Sequence, residues 1–183
     1  MRAVVLVEGL SDRFALEALA ERRGRNLDAE GVSIVEIGGA QAIGRFLERF
    51  GPQGLNVRLA GLCDAGEEAE FRRALERAGF GSDLTREDME RLGFYVCDAD
   101  LEDELIRTLG AAAVERVVDH QGDLSSFRTL QKQPAWRGRS REEQLRRFMG
   151  SGGRRKLRYA RLLVDALDAD RVPRPLDAVL AHV

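Results

Sequence analysis

The sequence predicts an α/β fold: a mostly parallel central sheet flanked by helices, followed by a basic helical C-terminal extension. Three observations predict it. Short apolar runs alternate four times with a turn and an amphipathic stretch. The connections are short, which sets successive strands parallel with helices across the sheet. Past residue 122 the strand signals stop, while helical spacing continues among arginines. Residues 1–122 therefore read as the sheet domain and 123–183 as a helical extension packed on it.

Ala3–Val7 is the first strand. Gly9-Leu10-Ser11 turns the chain, with Ser11 as the expected N-cap and Asp12 in the first helical turn. Ala15, Leu16, Ala18 and Leu19 then follow at helical spacing. Val32–Ile37 is the second strand, Gly38-Gly39 its turn, and Ala40–Phe50 a helix with Ile43, Phe46, Leu47 and Phe50 on one face. Val57–Cys63 is the third strand, leading through Asp64-Ala65-Gly66 to a helix over 67–78. Phe94–Cys97 is the fourth, leading through Asp98-Ala99-Asp100 to a helix from Leu101. Leu124–Gln131, Ser140–Met149 and Arg154–Leu167 read as helices, broken by Pro134, Gly138 and Ser151-Gly152-Gly153. A last short helix follows Pro173 and Pro175.

Composition excludes several classes. The 183 residues are 44% hydrophobic, enough for a real core. No apolar run approaches the roughly 20 residues that span a bilayer. Met1 leads directly into a strand with no basic leader or cleavage site, so the expected location is the cytoplasm, away from membranes. Two cysteines and two histidines supply neither a disulfide framework nor a zinc module. Cys63 and Cys97 read as small buried hydrophobes on neighbouring strands. Charge is unevenly spread. Residues 1–127 carry 15 basic against 25 acidic side chains, whereas 128–161 carry 12 basic against 2 acidic. That split suggests metal on one side and phosphate on the other; a set of solvated helix faces is the alternative.

In parallel sheets ligands sit beyond the carboxyl ends of the strands. Glu8, Asp64 and Asp98 end three of the four strands. Carboxylates gathered there repel unless neutralised, and a hard dication with oxygen ligands is the usual solution. The candidates are Glu8, Asp12, Asp64, Glu67, Glu68, Asp98, Asp100 and Glu102. Glu8 with Asp12, and Asp64 with Glu68, repeat one i, i+4 offset, as two acid pairs on one rim would. Each has a structural alternative: Asp12 as a helix-terminal acid, Glu67, Glu68 and Glu102 as solvated first-turn acids. Only Lys132 and Lys156 among the 29 basic residues are lysines. A lysine at 156, amid Arg154, Arg155, Arg158 and Arg161, points to a compact or titratable charge.

These residues resemble a family. Val5-Leu6-Val7-Glu8-Gly9-Leu10-Ser11-Asp12, Ile37-Gly38-Gly39 and Gly61-Leu62-Cys63-Asp64 look like the TOPRIM domain, a Rossmann-like fold, in the version found in OLD (overcoming lysogenization defect) nucleases. The resemblance implies a two-metal nuclease site. It matches Glu8 and Asp12 to the first acidic motif, Asp64 to the aspartate after the third strand, Leu101-Glu102 to a later acid pair and Lys156 to a C-terminal lysine. The family's Asp-x-Asp after the third strand is here Asp64-Ala65-Gly66, so its second aspartate is absent; Glu67 or Glu68 is the expected compensation. The implied ATPase, for which no phosphate loop exists here, would be a separate protein.

The functional expectation is a Mg²⁺- or Mn²⁺-dependent nuclease holding one or two ions, acting on DNA ahead of RNA. Glu8, Asp64 and Lys156 are its expected catalytic residues, and Glu8, Asp12, Asp64, Glu68 and Glu102 its metal ligands. Arg146, Arg147, Arg154, Arg155 and Arg158 are the candidates for nucleic-acid contact. The alternatives are a non-catalytic nucleic-acid-binding or regulatory module working with a separate ATPase, or a small RNA-maturation nuclease. Other chemistries lack their residues. Tyr95 and Tyr159 are the only tyrosines for a topoisomerase nucleophile, and no Gly-x-Gly-x-x-Gly follows the first strand.

Overall fold

A computed structural model describes residues 1–183. Strands β1 (Ala3–Val7), β2 (Val32–Glu36), β3 (Arg58–Asp64) and β4 (Phe94–Cys97) form one sheet in the order β2-β1-β3-β4. Every neighbouring pair is parallel. α1 (Leu10–Arg22) and α2 (Leu27–Glu30) connect β1 to β2. A 3₁₀ turn, Ala40–Ala42, and α3 (Ile43–Phe50) lead to β3, and α4 (Glu68–Arg77) and α5 (Arg86–Arg91) lead to β4. The chain finishes with α6 (Leu101–Leu109), α7 (Ala111–His120), α8 (Leu124–Lys132), α9 (Arg141–Gly150), α10 (Gly153–Ala166) and α11 (Arg174–His182).

β1 explains why the strands read as continuous apolar runs. All five of its residues are inaccessible to solvent. Side chains alternate across a strand, so Ala3, Val5 and Val7 enter one core and Val4 and Leu6 the other. On the second face α3 and α4 supply Ile43, Leu47, Phe71 and Leu75. On the first, Leu16 and Leu19 of α1 join Phe127, Phe148, Tyr159, Leu163 and Leu176, so one core is shared across residue 122. α1 packs along α10, and α11 lies on β3 and β4. The Phe148 ring meets Phe127 at 5.3 Å and Tyr159 at 6.3 Å, edge-on to both, tying α8, α9 and α10 together. Buried Glu115 of α7 adds ion pairs to Arg128 (2.8 Å) and Arg141 (3.0 Å).

One turn and one close approach need glycine. Gly38 and Gly39 turn the chain after β2 with φ of 75° and 106°, where a side chain would be strained. At Gly61 of β3 a Cβ would lie 2.5 Å from the buried Phe94 ring. Cys63 and Cys97 are buried and unpaired, as small hydrophobes; burial pushes both thiols well up from their ordinary values.

Some elements differ from the sequence reading. Gly9, not Ser11, caps α1; Ser11 is buried and Asp12 accepts the Gly9 N–H at 3.0 Å. The helix expected from Ala40 opens as a 3₁₀ turn. α2 and α5 have 4 and 6 residues, too short to show a period, and α7 opens on three alanines that carry no polar contrast.

β2 lies on one side of β1 and β3 on the other. The connection leaving β1 runs to α1 on one face and the connection leaving β3 to α4 on the other, opening a crevice at the carboxyl ends of β1 and β3. Glu8 and Asp64 stand there.

Candidate metal centre

Glu8 and Asp64 are tied across the switch point: Glu8 Oε1 accepts the Asp64 backbone N–H at 3.1 Å. Asp12 is held by its bond to Gly9, one turn into α1. Glu102 enters from the first turn of α6 and Lys156 from the first turn of α10. Lys156 Nζ lies 3.5 Å from Glu102 Oε1. Four carboxylates from three strand-to-helix junctions thus face one ammonium.

The electrostatics reflect that imbalance. Burial first, then Glu8, Asp12, Asp100 and Glu102, push the Asp64 carboxyl up to about 7. Burial and the charges of Glu102 and Glu8 push Asp12 up to about 6, against the Gly9 bond and Lys156. Glu8 is raised by burial and by Glu67, although the Asp64 N–H and Lys156 pull it down. Glu102 is raised by burial and Asp100, with Lys156 opposing. Glu102 is only 5% exposed, and its Oε1 finds no hydrogen bond. The Lys156 ammonium at 3.5 Å is its one charged partner, an ion pair too long to replace a hydrogen bond.

The donor set fits a hard divalent ion. All the groups are carboxylates, and Glu8 and Asp12 each accept only one protein hydrogen bond at the carboxylate. As the side chains stand, no three acids close on a common point to grip an ion. Mutual repulsion spreads such a set, and an ion would draw it together.

The remaining acids divide. Glu68 turns away: Arg86 Nε donates to it at 3.0 Å and holds its carboxyl below the ordinary value. The i, i+4 parallel between Asp12 and Glu68 therefore does not place Glu68 with Glu8, Asp12, Asp64 and Glu102. Glu67, in the turn that its N–H closes on the Asp64 carbonyl (2.9 Å), makes no ion pair and is near enough to raise Glu8. Asp100 caps α6 through the Asp103 N–H (2.8 Å) and binds Arg146 (2.7 Å). Asp98 is exposed beside Arg86 and Arg107. The sequence reading singled out neither Arg86 nor buried Glu104, which accepts the Asp98 N–H at 2.8 Å; the Glu104–Arg107 spacing of i, i+3 was the available signal.

The five candidate arginines also separate. Arg146 pairs with Asp100, Arg147 lies over Trp136, and Arg158 binds Asp123. Arg155 lies 4.2 Å from the Phe148 ring centroid. Arg154 makes no ion pair. Arg154, Arg155 and Arg158 line one open concavity of about 600 Å³ with Ser151, Gly152 and Gly153, adjoining the turn that carries Lys156. A second cavity, of about 480 Å³ between α1 and β2, lies away from the acids.

Residues 1–65 match the family model described as Overcoming lysogenization defect protein-like, TOPRIM domain. That span includes Glu8, Asp12 and Asp64 and ends before Glu102 and Lys156. A search of curated proteins gives no match. Among solved structures, the C-terminal region of the Xanthomonas campestris pv. campestris OLD protein is 25% identical with a TM-score of 0.76, covering 100% of this chain and 91% of that one. The C-terminal region of the Burkholderia pseudomallei OLD protein has the same fold, at 24% identity and a TM-score of 0.74, over 98% of this chain and 95% of that one. Residues 1–65 thus match the OLD-like TOPRIM domain model, within a chain that has over its whole length the fold of the C-terminal region of OLD proteins.

Proposed function

We propose that this chain is a Mg²⁺- or Mn²⁺-dependent nuclease that hydrolyses DNA phosphodiesters. The observation that carries the reading is the grouping of Glu8, Asp12, Asp64 and Glu102 around Lys156, their carboxyls raised by burial and by neighbouring acids, with one ammonium to offset four carboxylates. When bound, the cation supplies Lewis-acid polarisation of the phosphate and a water acidic enough to act as nucleophile. Glu8, Asp12, Asp64 and Glu102 would hold it. Lys156 would donate an N–H to charge developing on the scissile phosphate, with Glu102 orienting its ammonium. Arg154, with Arg155 and Arg158 beside it, would take backbone phosphates, an attraction that weakens with salt.

Purified chain, incubated with Mn²⁺ or Mg²⁺ and supercoiled plasmid, single-stranded DNA or structured RNA, tests this. The expected result is metal-dependent DNA cleavage that disappears in Glu8→Ala and with EDTA. Intact DNA at saturating metal would refute it: cleaved RNA would then point to an RNA-maturation nuclease, and retarded but uncut DNA to a binding module.

A further inference from the structure

The acids on this rim form two groups in opposite electrostatic states. The inner group, at the ends of β1 and β3 and the start of α6, sets Glu8, Asp12, Asp64 and Glu102 against Lys156, the one base that ion-pairs with any of them. The outer group, on the β3–β4 side, comprises Glu68, Asp98, Asp103 and Glu104, and there arginines are already in place. Arg86 donates to Glu68 at 3.0 Å and lies 3.5 Å from Asp98. Arg107 meets Asp103 at 2.6 Å, Glu104 at 2.9 Å and Asp98 at 3.6 Å. Every outer carboxylate faces a guanidinium, whereas in the inner group only Glu102 has an ion-pair partner, Lys156 at 3.5 Å, and Glu8, Asp12 and Asp64 have none.

Between the groups stands Gly66, which carries no carboxylate. Its backbone does not require glycine: φ is not positive, and a Cβ there would meet nothing within 4 Å. Arg86 is positioned by structure. It opens α5, whose start is closed by Thr85 and Asp88 capping each other's backbone N–H (3.2 and 2.9 Å), and α5 is anchored by fully buried Met89 against β4. An arginine stays charged at any physiological pH.

We propose that the centre takes one divalent cation, at the inner group, and that the Arg86 guanidinium supplies the positive charge a second cation would bring to the β3–β4 side. This rests on the metal-dependent reading above and departs from the two-ion site that the family resemblance implies. A second ion would have to displace a guanidinium already hydrogen-bonded to Glu68, with no acid at 66 to help hold it.

Mn²⁺ titration of the full chain, with free Mn²⁺ followed by electron paramagnetic resonance, tests this without any cleavage assay. The wild type should bind one ion per chain and Glu8→Gln should lose it. Arg86→Gln should gain a second ion, and Arg86→Gln with Glu68→Gln should return to one. Circular dichroism spectra matching the wild type would confirm that the variants fold. Two ions in the wild type would overturn this inference and leave the metal reading standing. No ion in the wild type would overturn both. One ion in Arg86→Gln, or one retained by Glu8→Gln, would refute the assignment to Arg86 or to the inner group respectively.

Discussion

Asp12→Asn should stabilise the metal-free protein at pH 8, although it removes an acid from the first turn of a helix. The amide keeps the size of the carboxyl, and its oxygen can still accept the Gly9 N–H at 3.0 Å. What it removes is a charge that burial disfavours and that Glu102 and Glu8 crowd further. The Asp12 carboxyl is pushed from its ordinary 3.8 up to about 6. The folded chain therefore retains a proton that the unfolded chain has released, and wild-type stability falls as pH rises through that window. Ionised Asp12 costs the fold about 3 kcal/mol at pH 8, at about 1.4 kcal/mol per pH unit. Losing a carboxylate from the α1 N-terminus gives back about 0.3–1 kcal/mol, leaving a net gain of about 2 kcal/mol. Near pH 4 the acid is mostly protonated in the folded chain, and the gain should fall to about zero. Urea unfolding followed by circular dichroism in EDTA, at both pH values, measures this. On the proposed metal-dependent reading, saturating Mg²⁺ should reverse the sign, because the variant lacks one of the carboxylates that would hold the ion on the folded state. A variant less stable than wild type in EDTA at pH 8, or equally stabilised at both pH values, would refute the account of a buried, crowded charge.

Three other outcomes follow from the same geometry. Asp64→Ala should lower DNA cleavage by about 100-fold or more, whereas Glu68→Ala, which loses only the pair to Arg86, should stay within about threefold in a plasmid-nicking time course. Glu115→Ala should destabilise the chain by about 1–3 kcal/mol in urea, since Arg128 and Arg141 both lose their buried anchor but remain partly exposed to water. Gly61→Ala should cost about 1–3 kcal/mol by the same measurement, because the new methyl would stand 2.5 Å from the buried Phe94 ring.

Much of this protein was legible in one dimension, and the reason is periodicity. β1 reads as a strand because both of its faces are buried, so five apolar residues run without interruption. Gly38-Gly39 marks a turn because only glycine accepts the φ found there. Glu8 and Asp64 stand out because an acid ending such a strand is anomalous wherever the chain goes next. The short helices α2 and α5 lie below the length at which a period can be seen. Ion pairing was invisible for a different reason. Glu67 and Glu68 are equivalent in sequence, and only the placement of Arg86, 18 residues beyond Glu68, separates the one it neutralises from the one left facing Glu8. The order β2-β1-β3-β4, which brings Glu8 beside Asp64, likewise depends on which strands pair. So does the packing of α10 on α1, which returns Lys156 to acids 54 and more residues earlier in the chain. The sequence by itself determined which residue types stand at the strand ends, since that depends on neighbours along the chain. Which of those charges remain uncompensated was decided by tertiary structure alone, because Coulomb interactions depend on separation in space.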